Sequence, residues 1–276
     1  MPFLKTINRE ERKGAQRVAK KSRQIFAFSL RLFALFAVNP HCCCKRTAGL
    51  IVFLSLVHSS FAQDSLFHYH KAKLIYKDNF DKDLKNWIIE TQTANDPKIE
   101  LHDSKLKIEV TGGTTAWFNK KLSGNYLIEF KRKVIVAGGT RDRLSDLNMF
   151  WAASDRKNAN LFTRTGILEE YDSLKLYYVG MGGNSNRTTR FRKYQGNGER
   201  SLLNEYIDKE HLLEANKEYF IQIVMYDGTT ELFVNGEKFF SYKDQDPLTE
   251  GYFGIRTTKS NQEVDDFKVY RLKQHK

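Results

Sequence analysis

Cysteine is almost absent from this chain, and its three cysteines stand together at Cys42–Cys44. The rest therefore has neither a thiolate nor a disulfide, which excludes cysteine catalysis, Cys-ligated zinc and a disulfide scaffold there. The glycine-rich run at 180–186 lacks the lysine and helix of a phosphate-binding loop. The histidines lie apart and no serine stands in a nucleophile elbow, so neither a metal triad nor a Ser-His-Asp site is predicted.

The net charge of +12 is concentrated at the N-terminus. Residues 1–62 hold eleven of the 45 Lys and Arg residues but two of the 33 Asp and Glu residues, so the remainder is close to neutral. A pI above 9 would otherwise suggest a nucleic-acid partner. That support is lost, and no nucleic-acid partner is predicted.

An export signal is predicted over residues 45–62. Lys45 and Arg46 precede the apolar run 48–57, and the small residues Ser60 and Ala62 occupy the −3 and −1 positions of a cleavage site before Gln63. The run is too short to span a bilayer. A buried core helix is the alternative, but residues 50–54 carry no polar side chain at helical spacing. The mature protein is therefore expected to be secreted or periplasmic.

Residues 1–44 contain a basic stretch and an interrupted apolar stretch, from which no domain could be built. They are interpreted as a mis-assigned or disordered leader. The next methionine after Met1 is Met149, so a later start would need a non-AUG codon. The alternative is a long, arginine-rich extension of the signal that is translated. Residues 63–276 are predicted to form one domain without a linker.

Alternation of apolar and polar residues predicts strands through most of the mature chain, and so many short strands predict two packed antiparallel sheets. Asp227-Gly228 and Asn235-Gly236 predict type I′ hairpin turns. Residues 199–210 are expected to form a short helix or an irregular excursion. The predicted strands are 73–76, 98–101, 105–110, 115–119, 125–136, 146–152, 175–179, 188–194, 218–226, 229–234, 237–242, 251–257 and 263–270.

Several blocks carry a resemblance to a known superfamily: Asp78-Asn79-Phe80 with Leu84 and Trp87, residues 146–148, 177–192, 234–237 and 251–257. With them the chain resembles the concanavalin A-like lectin/glucanase superfamily, and within it a poorly characterised group of exported bacterial proteins associated with polysaccharide utilisation. The resemblance implies an all-β jelly-roll sandwich of two antiparallel sheets, with a saccharide on the concave sheet. It names no reaction, because this fold hosts lectins, hydrolases and lyases. The paired-carboxylate strand of the glucanases is missing, since Glu169, Glu170 and Asp172 lack its spacing.

The strand 188–194 places Thr188, Arg190, Arg192 and Tyr194 on one face. Guanidinium groups suit a carboxylate or sulfate, and tyrosine can stack on a sugar or move a proton. Arg190, Arg192, Tyr194 and Tyr178 are therefore the candidate catalytic residues. The alternative is an ordinary solvated sheet face.

The candidate substrate-binding residues are polar or aromatic side chains in the same blocks: Asn148, Trp151, Asn184, Asn186 and Thr188. Asparagine can bond sugar hydroxyls, although Asn and Gly are also ordinary turn residues. Trp117 and Trp151 are candidate sugar platforms, with core packing as the alternative, while Trp87 is expected in the core. No cofactor is predicted. A structural calcium at Asp78, Asp265 and Asp266 is an open possibility.

Three functions remain open. The first is β-elimination on a uronic-acid saccharide, by a lyase or dehydratase, in which Arg and Asn neutralise the carboxylate and a tyrosine acts as base. The second is glycoside hydrolysis, which needs two carboxyl groups, and no spacing marks such a pair. The third is a non-catalytic lectin-like module. The expected partner in each case is a poly- or oligosaccharide, acidic in the first, and the protein is expected to be a monomer.

Overall fold

The computed structural model describes residues 69–93 and 96–275. The predicted leader, signal peptide and first mature residues lie outside these ranges. Within them the chain is built from antiparallel strands, with helices limited to short turns, and no described helix is long and apolar enough to cross a membrane. The strands are β1 (Tyr69–Asp78), β2 (Trp87–Thr91), β3 (Lys98–His102), β4 (Lys105–Ser123), β5 (Tyr126–Ile135), β6 (Leu147–Asp155), β7 (Leu174–Gly182), β8 (Thr188–Gln195), β9 (Arg200–Tyr206), β10 (Glu218–Tyr226), β11 (Thr229–Val234), β12 (Glu237–Lys243) and β13 (Glu250–Gln274). The 3₁₀ helices are Leu168–Ser173 and Lys209–His211, and Gly183–Asn186 forms a helical turn.

Two long strands, β4 and β13, fold one continuous sheet into two layers. Each was predicted as two separate strands, but each runs through a bend instead. At the bend in β13 the pairing with β4 shifts between Thr258 and Ser260, and Lys259 has a φ of 43°. Such irregularities let a strand pass from one layer of a sandwich to the other.

The front layer contains β2, the C-terminal half of β4, the N-terminal half of β13, and then β6, β7, β8 and β9 in that order. The back layer contains β3, the other half of β4, β1, the C-terminal half of β13, and β5, β10, β11 and β12. The predicted all-β sandwich of antiparallel sheets is confirmed.

The core lies between the layers because alternate residues of each strand point inward. From the front layer Met149, Val179 and Phe191 are buried there, and they share one apolar cluster with Phe130 and Phe240 of the back layer. Trp87 also belongs to this cluster, as expected. The residues between these inward-pointing ones on the front strands point away from the back layer. We call the surface that they form the outer face.

Both predicted hairpin turns are confirmed. Asp227 and Gly228 have φ of 48° and 70°, and Asn235 and Gly236 have φ of 52° and 83°. These positive values are those of type I′ turns.

Two strands were not predicted. Residues 199–210 were expected to form a helix or an irregular excursion, whereas Arg200–Tyr206 is the edge strand β9, paired with β8. Strand β2 pairs with β4 and was also missed. Both are short and lack strict alternation, so pairing with a neighbour decides their conformation.

Candidate functional site

Two rows of side chains cross the outer face at right angles to the strands. The polar row consists, from β2 to β9, of Glu90, Thr115, Arg256, Asn148, Gly180, Arg190 and Glu205. The aromatic row beside it consists of Ile88, Trp117, Gly254, Phe150, Tyr178, Arg192 and Leu202. The pairing register therefore brings Asn148, Tyr178, Arg190 and Arg192, four of the predicted site residues, onto one surface.

Burial changes along both rows. Trp117, Phe150 and Arg256 are buried, whereas Arg190 and Arg192 are half-buried and Leu202 is 53% exposed. The strands β2, β4, β13 and β6 thus carry the covered half of the face. The open half lies over β7, β8 and β9.

The covering segment is the β6–β7 connection, residues 156–173, which we call the strap. Its Leu161 and Tyr171 are fully buried in a second apolar cluster with Trp117 and Phe150. Trp117 stacks on Phe150 with ring centroids 5.5 Å apart. Trp117 is therefore a packing residue beneath the strap, as the alternative interpretation held.

Glu90 holds the strap to the sheet. Its carboxylate accepts hydrogen bonds from Trp117 Nε1, Tyr171 Oη and the backbone N–H of Arg164, each 2.8 Å long. Hydrogen bonds to a buried carboxylate are strong, so these three contacts fix the strap firmly. Glu90 is an anchor of the strap rather than a free acid or base.

Tyr178 lies at the border between the covered and open halves and is 7% exposed. Burial raises its pKa well above the usual value, the neighbouring Tyr194 and Asp146 raise it further, and Arg256 and Arg192 act in the opposite direction. The phenol is therefore protonated at neutral pH. This changes its predicted role, because a protonated phenol donates a proton and is a poor general base.

Tyr194 is fully buried, and its ring centroid is 5.7 Å from that of Tyr178. Burial raises its pKa, with Arg200 acting against the shift. The Arg200 guanidinium lies 5.4 Å from the Tyr194 ring centroid. The Tyr194 hydroxyl has no hydrogen-bond partner among the described residues. Its burial likewise argues against a role as base.

The two predicted arginines differ. Arg190 forms an ion pair with Glu205 of β9. Arg192 makes no side-chain hydrogen bond or ion pair with any residue in the described part of the chain. Arg192 is thus a half-buried cation beside Tyr178 that is available to an anion.

Two further predicted residues have buried polar atoms without a partner in the described chain. These atoms are Oδ1 of Asn148 and Oγ1 of Thr188. Asn148 lies in the polar row between Arg256 and Gly180. Buried polar atoms are rarely left unbonded, so such atoms at a surface indicate where a ligand or water binds.

Three predicted binding residues are placed elsewhere. Trp151 points into the core, is 1% exposed and donates its indole N–H to Thr230 Oγ1 of the back layer at 2.9 Å. It is therefore not a sugar platform. Asn186 bonds both backbone groups of Leu213 at 2.8 Å, which makes it a structural residue. Asn184 is an exposed residue of the turn, with a φ of 54°.

Arg256 is the site residue that the sequence did not reveal. Its guanidinium is 3% exposed and bonds Thr115 Oγ1 at 3.2 Å and the Gly166 carbonyl of the strap at 2.9 Å. It lies 5.1 Å from the ring centroid of Tyr171. Residue 256 lies in the block 251–257, which carries part of the resemblance and for which no site role is predicted. The sequence could have indicated it, because Arg256 is on the same face of the strand as Gly254, and the absence of a side chain at Gly254 leaves room for the Trp117 ring.

The possible calcium ligands are engaged by protein groups. Asp78 accepts hydrogen bonds from Phe80 N, Asn86 Nδ2 and Trp87 Nε1, and Asp266 pairs with Lys268. In residues 69–93 and 96–275 no three His, Cys, Asp or Glu side chains are grouped so as to hold a metal ion.

The fold is shared with solved structures of low sequence identity. A Bacillus subtilis protein of unknown function with a galectin-like fold aligns with a TM-score of 0.62 and 19% identity, over 75% of this chain and 100% of its own. An endo-β-1,3-glucanase from Pyrococcus furiosus aligns with a TM-score of 0.50 and 11% identity, over 74% and 95%. The Emp47p carbohydrate recognition domain aligns with a TM-score of 0.50 and 11% identity, over 72% and 97%. The predicted concanavalin A-like jelly roll is thereby confirmed as the fold.

A comparison with curated proteins finds no match. A family model described as a domain of unknown function, DUF6250, matches residues 108–267. This range spans both rows from β4 to β9 and the strap that covers them. The chain belongs to the DUF6250 family.

Proposed function

We propose that the protein binds an acidic saccharide on the open half of the outer face, over β7, β8 and β9. The same fold carries carbohydrate chemistry in an endo-β-1,3-glucanase and in a carbohydrate recognition domain. Fold alone does not assign a function, so the proposal depends on the residues of the face. Export through the predicted signal at 45–62 would bring this face to polysaccharide outside the cytoplasm.

The observation that carries the proposal is Arg192. Its guanidinium is half-buried, adjoins Tyr178 in the aromatic row, and has no anionic partner in the part of the chain that the structure describes. A guanidinium presents a rigid fork of donors that matches a carboxylate or sulfate. A uronate or sulfated sugar would supply that missing partner.

The surrounding polar atoms suit sugar hydroxyls. Oδ1 of Asn148 and Oγ1 of Thr188 are, within the described residues, unpaired polar atoms on the same face. Tyr178 adjoins Arg192 in the aromatic row but is only 7% exposed, so its ring borders the site and is not a platform for a pyranose. A free charge and unpaired polar atoms thus meet within a few residues.

Calorimetric titration with short uronic-acid oligosaccharides tests this function. Arg192→Met should weaken binding about tenfold or more, because a hydrogen bond between charged groups is lost. The matched control is Arg156→Met, which removes an exposed arginine just after β6 and should leave affinity unchanged. Oligosaccharides whose carboxylates have been reduced to alcohols should bind wild type as weakly as the variant. Equal affinity for acidic and reduced ligands would overturn the proposal.

A second candidate function is β-elimination, favoured by the protonated phenol of Tyr178 beside Arg192 and Asp146. In this reaction a base removes the proton next to the uronate carboxylate, the bond to the substituent at C4 breaks, and a C4–C5 double bond forms. Arg192 would neutralise the carboxylate, and Tyr178 would protonate the departing oxygen. Asp146, whose charge acts on Tyr178, is the candidate base.

Ultraviolet absorbance and product mass distinguish these functions. Lyase cleavage produces an unsaturated uronate with total mass conserved, dehydration removes one water, and hydrolysis adds one. Tyr178→Phe should abolish elimination while preserving binding, because the ring remains and the proton donor is lost. Binding with no change in absorbance or mass would leave recognition as the function and refute elimination.

Hydrolysis has less support from the outer face. It requires two carboxyl groups about 5 to 10 Å apart that can act as acid and base or nucleophile. Glu90 is held by three donors, and Asp172 is bound by Arg200. Asp146, the candidate base named above, would need one of them as a second carboxyl group, and both Glu90 and Asp172 are already engaged with other protein groups.

A further inference from the structure

The geometry points to recognition of the end of an acidic saccharide chain, because two fixed walls close the binding surface. This inference rests on the proposed function and specifies which part of the saccharide the site accepts. A site for internal units needs a groove that is open at both ends. Protein closes one end of the outer face along the rows and one end along the strands, and along the rows the other end is open on the side of β9.

The first wall is the strap, which stands across both rows. In the aromatic row it covers Trp117 and Phe150, shares one buried cluster with Tyr178, which is 7% exposed, and stops short of Arg192. In the polar row it covers Arg256, to which it bonds through the Gly166 carbonyl. A saccharide lying along either row therefore meets buried protein at Tyr178 or Arg256.

The strap is fastened along its length. Arg164, which is almost fully buried, bonds Leu161 O at 2.7 Å, Glu170 O at 2.8 Å and Asp155 Oδ2 at 2.6 Å. Its backbone N–H and the Tyr171 hydroxyl bond Glu90 of β2. Opening this segment would break buried charged hydrogen bonds and expose two apolar side chains, which makes it a wall rather than a lid.

The second wall blocks a saccharide that runs parallel to the strands. Arg200 of β9 forms a two-point ion pair with Asp172 of the strap, with Nε–Oδ1 at 2.6 Å and Nη2–Oδ2 at 2.8 Å. The guanidinium also lies over the Tyr194 ring, which is fully buried. A chain that follows β8 past Arg192 is thus stopped at Tyr194.

The two walls meet at a corner beside Arg192, where Tyr178 and Tyr194 are buried. The unit that reaches this corner has protein on two sides, so a chain that runs straight along a row or along the strands has its last unit here. The charge of that unit faces Arg192. The terminal residue of the chain is therefore the one that must be acidic.

A length series tests the inference on the full protein. The probes are uronic-acid oligomers of two to about twenty units and the corresponding polymer, titrated by calorimetry at equal concentrations of chain ends. End recognition predicts affinities per chain that agree within about threefold from trimer to polymer. A groove for internal units predicts affinity per chain that rises with length, and about tenfold over this range would overturn the inference. No binding at any length would instead overturn the proposed function.

Removing the second wall gives an independent readout. Arg200→Ser breaks the ion pair with Asp172 and uncovers Tyr194, so the polymer should gain affinity relative to the trimer. The matched control is Lys217→Ser, which breaks an exposed ion pair with Glu214 before β10 and should leave the ratio unchanged. An unchanged ratio in a folded Arg200→Ser protein, judged by its circular dichroism and its thermal transition, would contradict the second wall.

Discussion

At the residue scale, the position of Tyr178 depends on a residue without a side chain. A methyl group at position 180 would collide with the Tyr178 hydroxyl, which lies over Gly180 on the same strand. Gly180→Ala should therefore displace the phenol and lower the stability by about 1 to 3 kcal/mol, as overpacking does. Saccharide affinity should fall as well, and urea denaturation with calorimetric titration measures both effects.

The control for this substitution is Gly183→Ala in the β7–β8 turn. There the nearest side-chain atom to a new methyl group, Thr188 Oγ1, is 3.3 Å away and needs to move by only a few tenths of an ångström, so stability and affinity should change less than at position 180. If Gly180→Ala bound the saccharide as well as Gly183→Ala does, Tyr178 would not need its present position.

The sequence predicts which residues of a strand share a face, but it does not predict which of the two faces points outward. Alternation correctly separated Phe150 from Trp151 and grouped Arg190 with Arg192 and Tyr194. Which set faces out depends on where the back layer packs, and both sets contain aromatic residues. Trp151 was therefore chosen wrongly as a platform, and the buried Arg256 was overlooked.

At the element scale, strands with strict alternation or clear turns were predicted and irregular segments were not. Strands β10 and β11 occupy their predicted residues, since an Asp-Gly turn fixes the register between them. The strap sequence has no periodic pattern of apolar residues. Its path depends on Glu90, which bonds Arg164 of the strap although the two residues are 74 positions apart in sequence. Long-range contacts of this kind leave no local signal.

The connection from β12 to β13 is a second segment whose path is fixed by contacts with residues distant in sequence. Asp244 receives a hydrogen bond of 2.5 Å from the Tyr177 hydroxyl and an ion pair of 2.7 Å from Lys193, and all three are buried. Burial would raise the pKa of Asp244, but these two donors outweigh it and hold the pKa below its usual value. The connection is thus tied to the inner side of β7 and β8.

Asp244→Asn should destabilise the fold by about 3 to 5 kcal/mol at neutral pH, because Lys193 is left as a buried charge without a counter-charge. A carboxyl whose pKa is lowered by folding contributes fully above its unfolded pKa of about 4 and loses that contribution as pH falls through the folded value. The gap between wild type and variant should therefore be constant from about pH 5 to 7 and shrink below about pH 4. Urea midpoints across this range measure it.

Asp227→Asn provides the comparison for that variant. Asp227 is exposed in a type I′ turn that accepts asparagine equally well, and its contact with Lys243 is 3.8 Å. Its stability should stay within about 0.5 kcal/mol of wild type. Equal losses of stability at positions 244 and 227 would show that the buried Asp244–Lys193 pair contributes no more than an exposed contact.

At the scale of the whole molecule, the outer face is supported from the back layer. Arg132 of β5 is fully buried and crosses the core, where Nη1 bonds the Asn148 carbonyl at 2.6 Å and Nη2 bonds the Arg256 carbonyl at 2.9 Å. These two residues are direct partners on β6 and β13 in the polar row. One guanidinium thus fixes the backbone of two site residues from behind.

This support leads to a prediction that separates positioning from simple stability. Arg132→Lys keeps the charge but cannot reach both carbonyls with one ammonium group, so one carbonyl is left unbonded at a cost of about 1 to 3 kcal/mol. The backbone at Asn148 and Arg256 should shift, and saccharide affinity should fall in protein that remains folded. Arg156→Lys makes the same change at an exposed residue and should alter neither quantity. If Arg132→Lys lowered the urea midpoint while affinity stayed at the wild-type value, Arg132 would hold the two layers together without positioning the site. Loss of both would show that the back layer sets the geometry of Asn148 and Arg256, and through them the shape of the saccharide site on the other side of the sheet.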